Sequence, residues 1–263
     1  MESCRGRVAL VTGSSRGLGR VIARTLGAAG ADVVVNYRRA GGRSEAQARA
    51  LAKELVERGS RAVAIQADIS QKDAVAAMFQ QIAAEYGRLD ILVLNAARAP
   101  FKRIGELLTR DLIELVETNY FGNVYCMQHA LPLMQGRPGH VVFISSLGSR
   151  FVLPSYPLGS LKAAMEALVR QWSAELQDRQ IAVNGVTAGL LKTDSLLVLR
   201  QYSPSVARLP ASAFVELEDV AAVVLFLCTD AARGIRGQQI VVDNGVSNEI
   251  WDGARRLTSS FSP

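Results

Sequence analysis

The stretch Arg7–Gly27, RVALVTGSSRGLGRVIARTLG, constrains the fold more than any other part of the chain. Val8–Val11 is a short apolar run that reads as a buried strand. Thr12 to Gly19 then turn the chain, and Val21–Leu26 continues with helical spacing. Glycines 13, 17 and 19 remove the Cβ atoms that would hold a phosphate away from the turn. The helix that follows offers unpaired backbone N–H groups and a positive dipole end. A tight strand–helix turn has the same composition. What favours a nucleotide site is the strand before it, the helix after it, and its place at the start of an alternating chain.

Six further strand-like runs follow Val8–Val11: Asp32–Val35, Ala62–Gln66, Ile91–Leu94, His140–Ile144, Ile181–Val186 and Gln239–Val242. Apolar strands alternating with helices predict an α/β fold, a doubly wound parallel sheet covered on both faces. Ligands then bind beyond the carboxyl ends of the strands. No linker or repeat interrupts the pattern, which predicts a single domain over residues 1–250 and a polar tail over 251–263. A hydrophobic fraction of 49% excludes a disordered chain.

Three scattered cysteines, Cys4, Cys126 and Cys228, fit a reducing compartment and lack metal-ligand spacing. The segment MESCRGR has no apolar signal core, which predicts a cytoplasmic protein. The longest uninterrupted apolar run, Val220–Cys228, is too short to span a bilayer. A net charge of +6 can draw in an anionic cofactor or an acidic carrier protein, and equally fits arginine-rich solvated faces. No basic stripe interleaved with aromatics points to nucleic acid.

The second strand ends in Asn36-Tyr37-Arg38-Arg39. A free ribose 2′-hydroxyl is usually met here by a carboxylate, whereas guanidiniums suit a 2′-phosphate. With Arg16 in the glycine turn, Arg38 and Arg39 predict NADP(H) over NAD(H). The third strand leads to Ala67-Asp68-Ile69, where Asp68 can accept from an adenine amino group or cap a helix. The fourth leads to Asn95-Ala96-Ala97, small residues beside an asparagine able to fix the turn.

Thr12-Gly13-x3-Gly17-x-Gly19, Asp68, Asn95-Ala96, Asn119, Ser145-Ser146, Lys162 and Val183-Asn184…Gly189…Thr193 occur in the order and spacing of one family. From Arg7 to Gly245 the chain resembles the short-chain dehydrogenase/reductases. The resemblance implies a Rossmann-type sheet of seven parallel strands and a homodimer or homotetramer. It also implies cofactor contacts from Gly13, Ser15, Arg16, Gly17, Leu18 and Gly19, then Tyr37, Arg38 and Arg39, then Ala67, Asp68 and Ile69. Asn95, Ala96, Ala97, Lys162, Gly189, Leu190 and Thr193 complete that set. MFQQI at Met78, SSLGS at Ser145, KAAMEAL at Lys162 and IRGQQIVVD at Ile235 most resemble the NADPH-dependent enoyl-acyl-carrier-protein reductases.

The resemblance places catalysis on Tyr156, Lys162, Ser146 and Asn119, with Ser145 as a neighbouring candidate for the serine. Most of the family carries a tyrosine four residues before the lysine, one helical turn away. Here that position is Leu158, and the nearest phenol is Tyr156, six residues before Lys162. On one continuous helix, six steps of about 100° would turn the phenol roughly 120° away from the lysine. Pro157 and Gly159 predict instead that the helix begins after Tyr156. The enoyl reductases place their tyrosine most often seven positions ahead, which here is Ser155, so one deleted residue restores the match. An aromatic packed over the cofactor loop is the other reading of Tyr156. By the same resemblance Asn119 orders a water near the lysine, or is simply a polar residue at a helix kink.

Two departures from the family stand out: Ala188 replaces a proline before Gly189, and Asn244 replaces a glycine after Asp243. His129 and His140 are assigned no chemistry. The family's substrate-covering stretch falls at 194–214, where Leu196, Leu197, Leu199, Tyr202 and Val206 suit an acyl chain or ring, or packing on the body. Arg98, Lys102 and Arg103 can receive a phosphopantetheine or an acidic acyl carrier protein, or serve as surface charge. The expected activity is reduction of an enoyl thioester. The alternatives are reduction of a polyketide-type or other small-molecule carbonyl compound, and nucleotide binding without turnover.

Overall fold

Along β1 (Val8–Val11) the side chains alternate between two cores: Val8 and Leu10 face one, Ala9 and Val11 the other. A strand buried on both faces needs helices on both sides. The computed structural model, which describes residues 4–153, 155–193 and 210–248, has them. The elements run α1 (Gly17–Ala28), β2 (Asp32–Tyr37), α2 (Arg43–Glu57), β3 (Ala62–Gln66), α3 (Lys72–Tyr86) and β4 (Ile91–Leu94). Then come α4 (Thr109–Val116), α5 (Gly122–Ala130), β5 (Gly139–Ser146), α6 (Leu158–Glu175), β6 (Ile181–Ala188), β7 (Leu190–Leu191) and β8 (Phe214–Val215). The described part ends with α7 (Leu217–Leu227) and β9 (Gln239–Val242).

Seven strands form one parallel sheet in the order β3-β2-β1-β4-β5-β6-β9, the α/β doubly wound arrangement that the alternation predicts. One core holds Ile22 of α1, Leu51 of α2 and Val220 of α7. The other holds Met78 of α3, Met127 of α5 and Met165 of α6. Each helix buries the stripe its sequence provides. In α3 that stripe is Val75, Met78, Phe79 and Ile82, and Gly87 at φ 68° ends the helix. Cys4, Cys126 and Cys228 are buried. No helix among the described residues is long and apolar enough to cross a membrane.

Three strands run further than their apolar stretches predict: β2 to Tyr37, β5 from Gly139 to Ser146, and β6 to Ala188. The backbone ladder continues where side chains turn polar, with Ser145 opposite Thr187 and Ser146 opposite Ala188. The expected substrate-covering residues Leu196, Leu197, Leu199, Tyr202 and Val206, and the tail 251–263, lie outside the described residues.

Strand order reverses between β1 and β4, and there the chain leaves a crevice at the carboxyl ends. Thr12 joins the two strand ends. Its hydroxyl lies 3.3 Å from the Val93 carbonyl and accepts from the backbone N–H groups of Asn95 and Ala96, each at 3.0 Å. Thr12→Val keeps the shape and leaves the Ala96 amide without its acceptor, while Asn95 N–H retains the Val93 carbonyl at 3.1 Å. It is expected to cost about 1–3 kcal/mol, read as a lower urea midpoint at unchanged slope; an unaltered midpoint would show that the hydroxyl does not hold this junction.

Candidate active site

The glycine turn is shaped by contacts that only glycine permits. A Cβ on Gly13, which sits at φ 63°, would lie 3.0 Å from Ala96 Cα. One on Gly19 would lie 2.4 Å from the Asn95 amide nitrogen. Asn95 Nδ2 donates to the Thr12 carbonyl at 2.8 Å, fixing the turn from the neighbouring strand. Asn36 does the same from the other side. Its oxygen accepts from Gly13 N–H at 2.9 Å and its amide donates to the Ala67 carbonyl at 3.1 Å.

Gly17, at φ 56°, has open space where a Cβ would stand. Helix α1 begins there, its N-cap Arg16 makes no capping side-chain bond, and no acidic residue occupies its first turn. An open glycine face and uncapped N–H groups at a positive dipole end are the donor set a phosphate requires. The turn therefore fits the pyrophosphate of a dinucleotide.

Beyond β2, Arg38 and Arg39 are exposed, as is Arg16. Partial burial lowers the Arg38 pKa below its ordinary value, and the charge of Arg39 lowers it further, opposed by Asp68. Neighbouring exposed guanidiniums offer charge and a planar donor set to an anion such as a phosphate. Asp68 accepts from the Ser70 hydroxyl at 2.8 Å and the Ser70 amide at 3.1 Å, so one of its oxygens stabilises the turn into α3. Leu18, Tyr37, Ala67 and Ile69 are implied at a cofactor by the family resemblance, but their side chains belong to the two cores. Ser15 is buried, and Ala97 is exposed.

Helix α6 begins at Leu158, and Tyr156 stands on the loop before it. Ser155 takes a left-handed φ of 57°, which turns the chain into that position. The Tyr156 ring lies over Gly148, where a Cβ would come within 2.8 Å of ring carbons. Phe101 flanks the ring at 5.9 Å between centroids. The phenol donates to Ser146 Oγ at 3.4 Å. Burial raises its pKa, so the group stays a donor at neutral pH. Leu158, where most of the family has its tyrosine, is 3% exposed and offers no donor.

Lys162 is 5% exposed. Its ammonium donates to the Ile144 carbonyl at 2.6 Å and lies 4.7 Å from the centroid of the Phe143 ring. Desolvation pulls its pKa down to about 8, opposed by the charge of Glu166. Ser145, the other serine candidate, points away from Ser146 as neighbours on a strand must, and donates to Glu166 Oε1 at 2.6 Å. Asn119 lies in a π turn, Glu117–Phe121, between α4 and α5. Its amide hydrogens go to the Arg98 and Leu115 carbonyls at 2.7 and 2.8 Å, and its oxygen accepts from Arg98 N–H at 3.1 Å. Through these bonds the Asn119 side chain clamps the segment after β4 to the turn between α4 and α5.

Gly189, after β6, presses on Asp243, where a Cβ would lie 2.8 Å from the Asp243 Cα. Leu190 enters β7, and Thr193 N–H donates to the Leu191 carbonyl at 2.8 Å. Asn244 sits at φ 54°, a left-handed position that asparagine tolerates in place of glycine. Arg98 and Lys102 pair with Glu114 and Asp111 on α4, each at 2.6 Å, so those charges are already partly neutralised. The sequence reading missed Asn36 as a clamp, Gly148 as the seat of Tyr156, and Glu166. Of these, Glu166 carried a signal: it stands one helical turn beyond Lys162.

Comparison with known proteins shows the family. The family model described as enoyl-(acyl carrier protein) reductase matches residues 13–247. The chain is 37% identical over 250 residues to 1-cyclohexenylcarbonyl-CoA reductase of Streptomyces collinus, covering 92% of this chain and 88% of that one. It is 33% identical over 242 residues to the 3-oxoacyl-acyl-carrier-protein reductase FabG of Staphylococcus aureus, covering 90% and 97%. A solved gluconate 5-dehydrogenase from Burkholderia cenocepacia, in complex with NADP and tartrate, superposes with a TM-score of 0.84 at 28% identity, over 94% of this chain and 97% of that one. The chain therefore belongs to the short-chain dehydrogenase/reductases, a family of oxidoreductases that use a nicotinamide cofactor.

Proposed function

We propose that this chain is an NADPH-dependent reductase of the carbon–carbon double bond in enoyl thioesters. The observation that carries the reading is the place of the phenol: Tyr156 stands on the loop before α6, and Leu158 fills the helical position. In a ketone, the oxygen that gains charge is bonded to the carbon that receives hydride, and it must take a full proton. In an enoyl thioester, hydride joins the β-carbon and the double-bond pair moves toward an oxygen three bonds away. The proton ends on the α-carbon and the carbonyl re-forms. A phenol displaced from the helix suits the more distant oxygen. A phenol whose pKa burial has raised suits hydrogen bonding to that oxygen rather than complete transfer.

A nicotinamide bound across the glycine turn would supply the hydride. The chain's own residues do the rest. Tyr156 donates toward the enolate oxygen, and Ser146 orients the phenol. Lys162 presents a desolvated positive charge for a ribose hydroxyl and the developing enolate. Asn119 holds the segment that carries Arg98. Arg16, Arg38 and Arg39 bind the 2′-phosphate. The relative named for 1-cyclohexenylcarbonyl-CoA, an α,β-unsaturated thioester, supports this substrate class, which includes carrier-bound acyl chains. The exposed Leu112, Ile113 and Phe121 on and between α4 and α5 support association with a second copy of the chain.

Oxidation of NADPH is expected with crotonyl thioesters and not with a panel of ketones; turnover of ketones alone would replace this reading with a carbonyl reductase, and binding without turnover with a non-catalytic one. Tyr156→Phe is expected to lower kcat on crotonyl thioesters about 10²–10³-fold with little change in melting temperature; full activity of the variant removes the phenol from the reaction. Replacing Arg38 and Arg39 together by alanine is expected to weaken NADPH about 10- to 100-fold and leave NADH unchanged in fluorescence titrations. Equal loss for both dinucleotides would show that the arginines do not read the phosphate.

A further inference from the structure

Glu166, on α6, is 8% exposed and reaches the carboxyl end of β5. Ser145 Oγ and Ser149 Oγ each lie 2.6 Å from its Oε1, and Thr187 Oγ1, from β6, lies 3.3 Å from the same atom. Contacts of 2.6 Å are those of hydroxyls donating to a carboxylate, bonds shorter and stronger than neutral ones. The other oxygen is 3.8 Å from the Arg150 guanidinium, too far for a hydrogen bond. Ser149 has one hydrogen and a second acceptor, the Ser146 carbonyl, at 2.9 Å. The carboxylate is the nearer and the stronger of the two.

The two serines stand at the ends of one segment, Ser145–Ser149, which runs from the last residues of β5 into the short turn Leu147–Ser149. Tyr156 rests on the middle of that segment. Ser146 Oγ accepts from the phenol at 3.4 Å, and a Cβ on Gly148 would come within 2.8 Å of the ring. We propose that Glu166 is a positioning residue for Tyr156: by gripping Ser145 and Ser149, its carboxylate fixes the segment on which the phenol is seated. The grip brackets both points of contact, so neither can shift without moving a hydroxyl off the carboxylate.

The carboxylate comes from the helix that also carries Lys162, so the seat of the phenol and the lysine are referred to one rigid element. Gly148 adds a second tie between the same two parts, since its carbonyl presses against Gly159 in the first turn of α6. Arg170, further along that helix, donates to the Glu166 backbone carbonyl at 3.1 Å and leaves the carboxylate to the serines. The catalytic meaning of the grip rests on the enoyl-reductase reading, in which Tyr156 donates to the enolate oxygen. Its geometry stands without that reading. A displaced donor meets the developing charge at the wrong distance, and small displacements of this kind cost rate rather than binding.

The test joins kcat on crotonyl thioesters to fluorine NMR of the full chain grown with fluorotyrosine, in which the Tyr156 resonance is the one that Tyr156→Phe removes. Glu166→Leu takes away the grip. It is expected to lower kcat about 10- to 100-fold with unchanged affinity for NADPH, and to shift or broaden the Tyr156 resonance while the other tyrosines stay in place. Glu166→Gln keeps an oxygen for the two serines and is expected to restore most of both readouts. In the Tyr156→Phe background, Glu166→Leu is expected to cost nothing further, because its effect passes through the phenol. Ser149→Ala releases one end of the segment and leaves the carboxylate on Ser145; it is expected to act in the same direction, and it carries the test if the leucine variant does not fold. A Tyr156 resonance unmoved by the folded variant overturns the proposal, as does a loss of kcat that persists in full without the phenol. The NMR needs no substrate, so full activity of Tyr156→Phe would end the enoyl-reductase reading while the resonance still decides this one.

Discussion

An ammonium group shut away from water has to be compensated from within the protein, and much of this site is arranged around that requirement. Lys162 finds one carbonyl and one aromatic face. Both come from one strand. The Ile144 carbonyl faces it from β5, which also pairs with β6 as far as Ser146. Phe143 presents its ring from the same strand. Glu166, on the next turn of the helix that carries the lysine, is held by the Ser145 and Ser149 hydroxyls. Because β5 is central in the sheet and α6 packs on it through Met165 and Val169, the lysine's surroundings inherit the rigidity of the core.

The nucleotide end of the crevice meets the opposite requirement. Its backbone groups must remain unpaired until an anion arrives, yet the turn that presents them must not collapse. The solution is to place hydrogen bonds on the outside of the turn. Thr12, Asn36 and Asn95 fix its carbonyls and amides from flanking strands, while the start of α1 is left without a side-chain cap. Polar side chains buried for this purpose are each satisfied by backbone partners, so their desolvation is offset locally. The cationic residues beyond β2 lie at the surface, where they add attraction for an anion with little cost to stability.

Periodicity and composition disclosed the sheet and its helices, because strands buried on both faces are apolar along most of their length. They fell short at the carboxyl ends. Asn36, Ser145, Ser146 and Thr187 are polar yet remain in the ladder, since the chemistry of the crevice is built on the last residues of the strands. The glycine turn and the helix start after Tyr156 were legible from local rules for glycine and proline. The partners of Glu166 were not, because Ser145, Ser149 and Thr187 are brought together by pairing of β5 with β6 and by the turn after β5. No spacing in the sequence encodes such a meeting.

The displaced phenol follows from a close backbone contact. At Gly159, in the first turn of α6, a Cβ would fall 2.2 Å from the Gly148 carbonyl oxygen. The helix start is thus pressed directly against the turn after β5, with no side chain between them. That contact leaves Leu158 facing the interior and fixes where the helix can begin. The left-handed Ser155, at φ 57°, turns the loop that leads into this helix start. Tyr156 then lands over Gly148, the other face of the same glycine contact. Two glycines thereby set both the start of the helix that carries the lysine and the seat of the phenol.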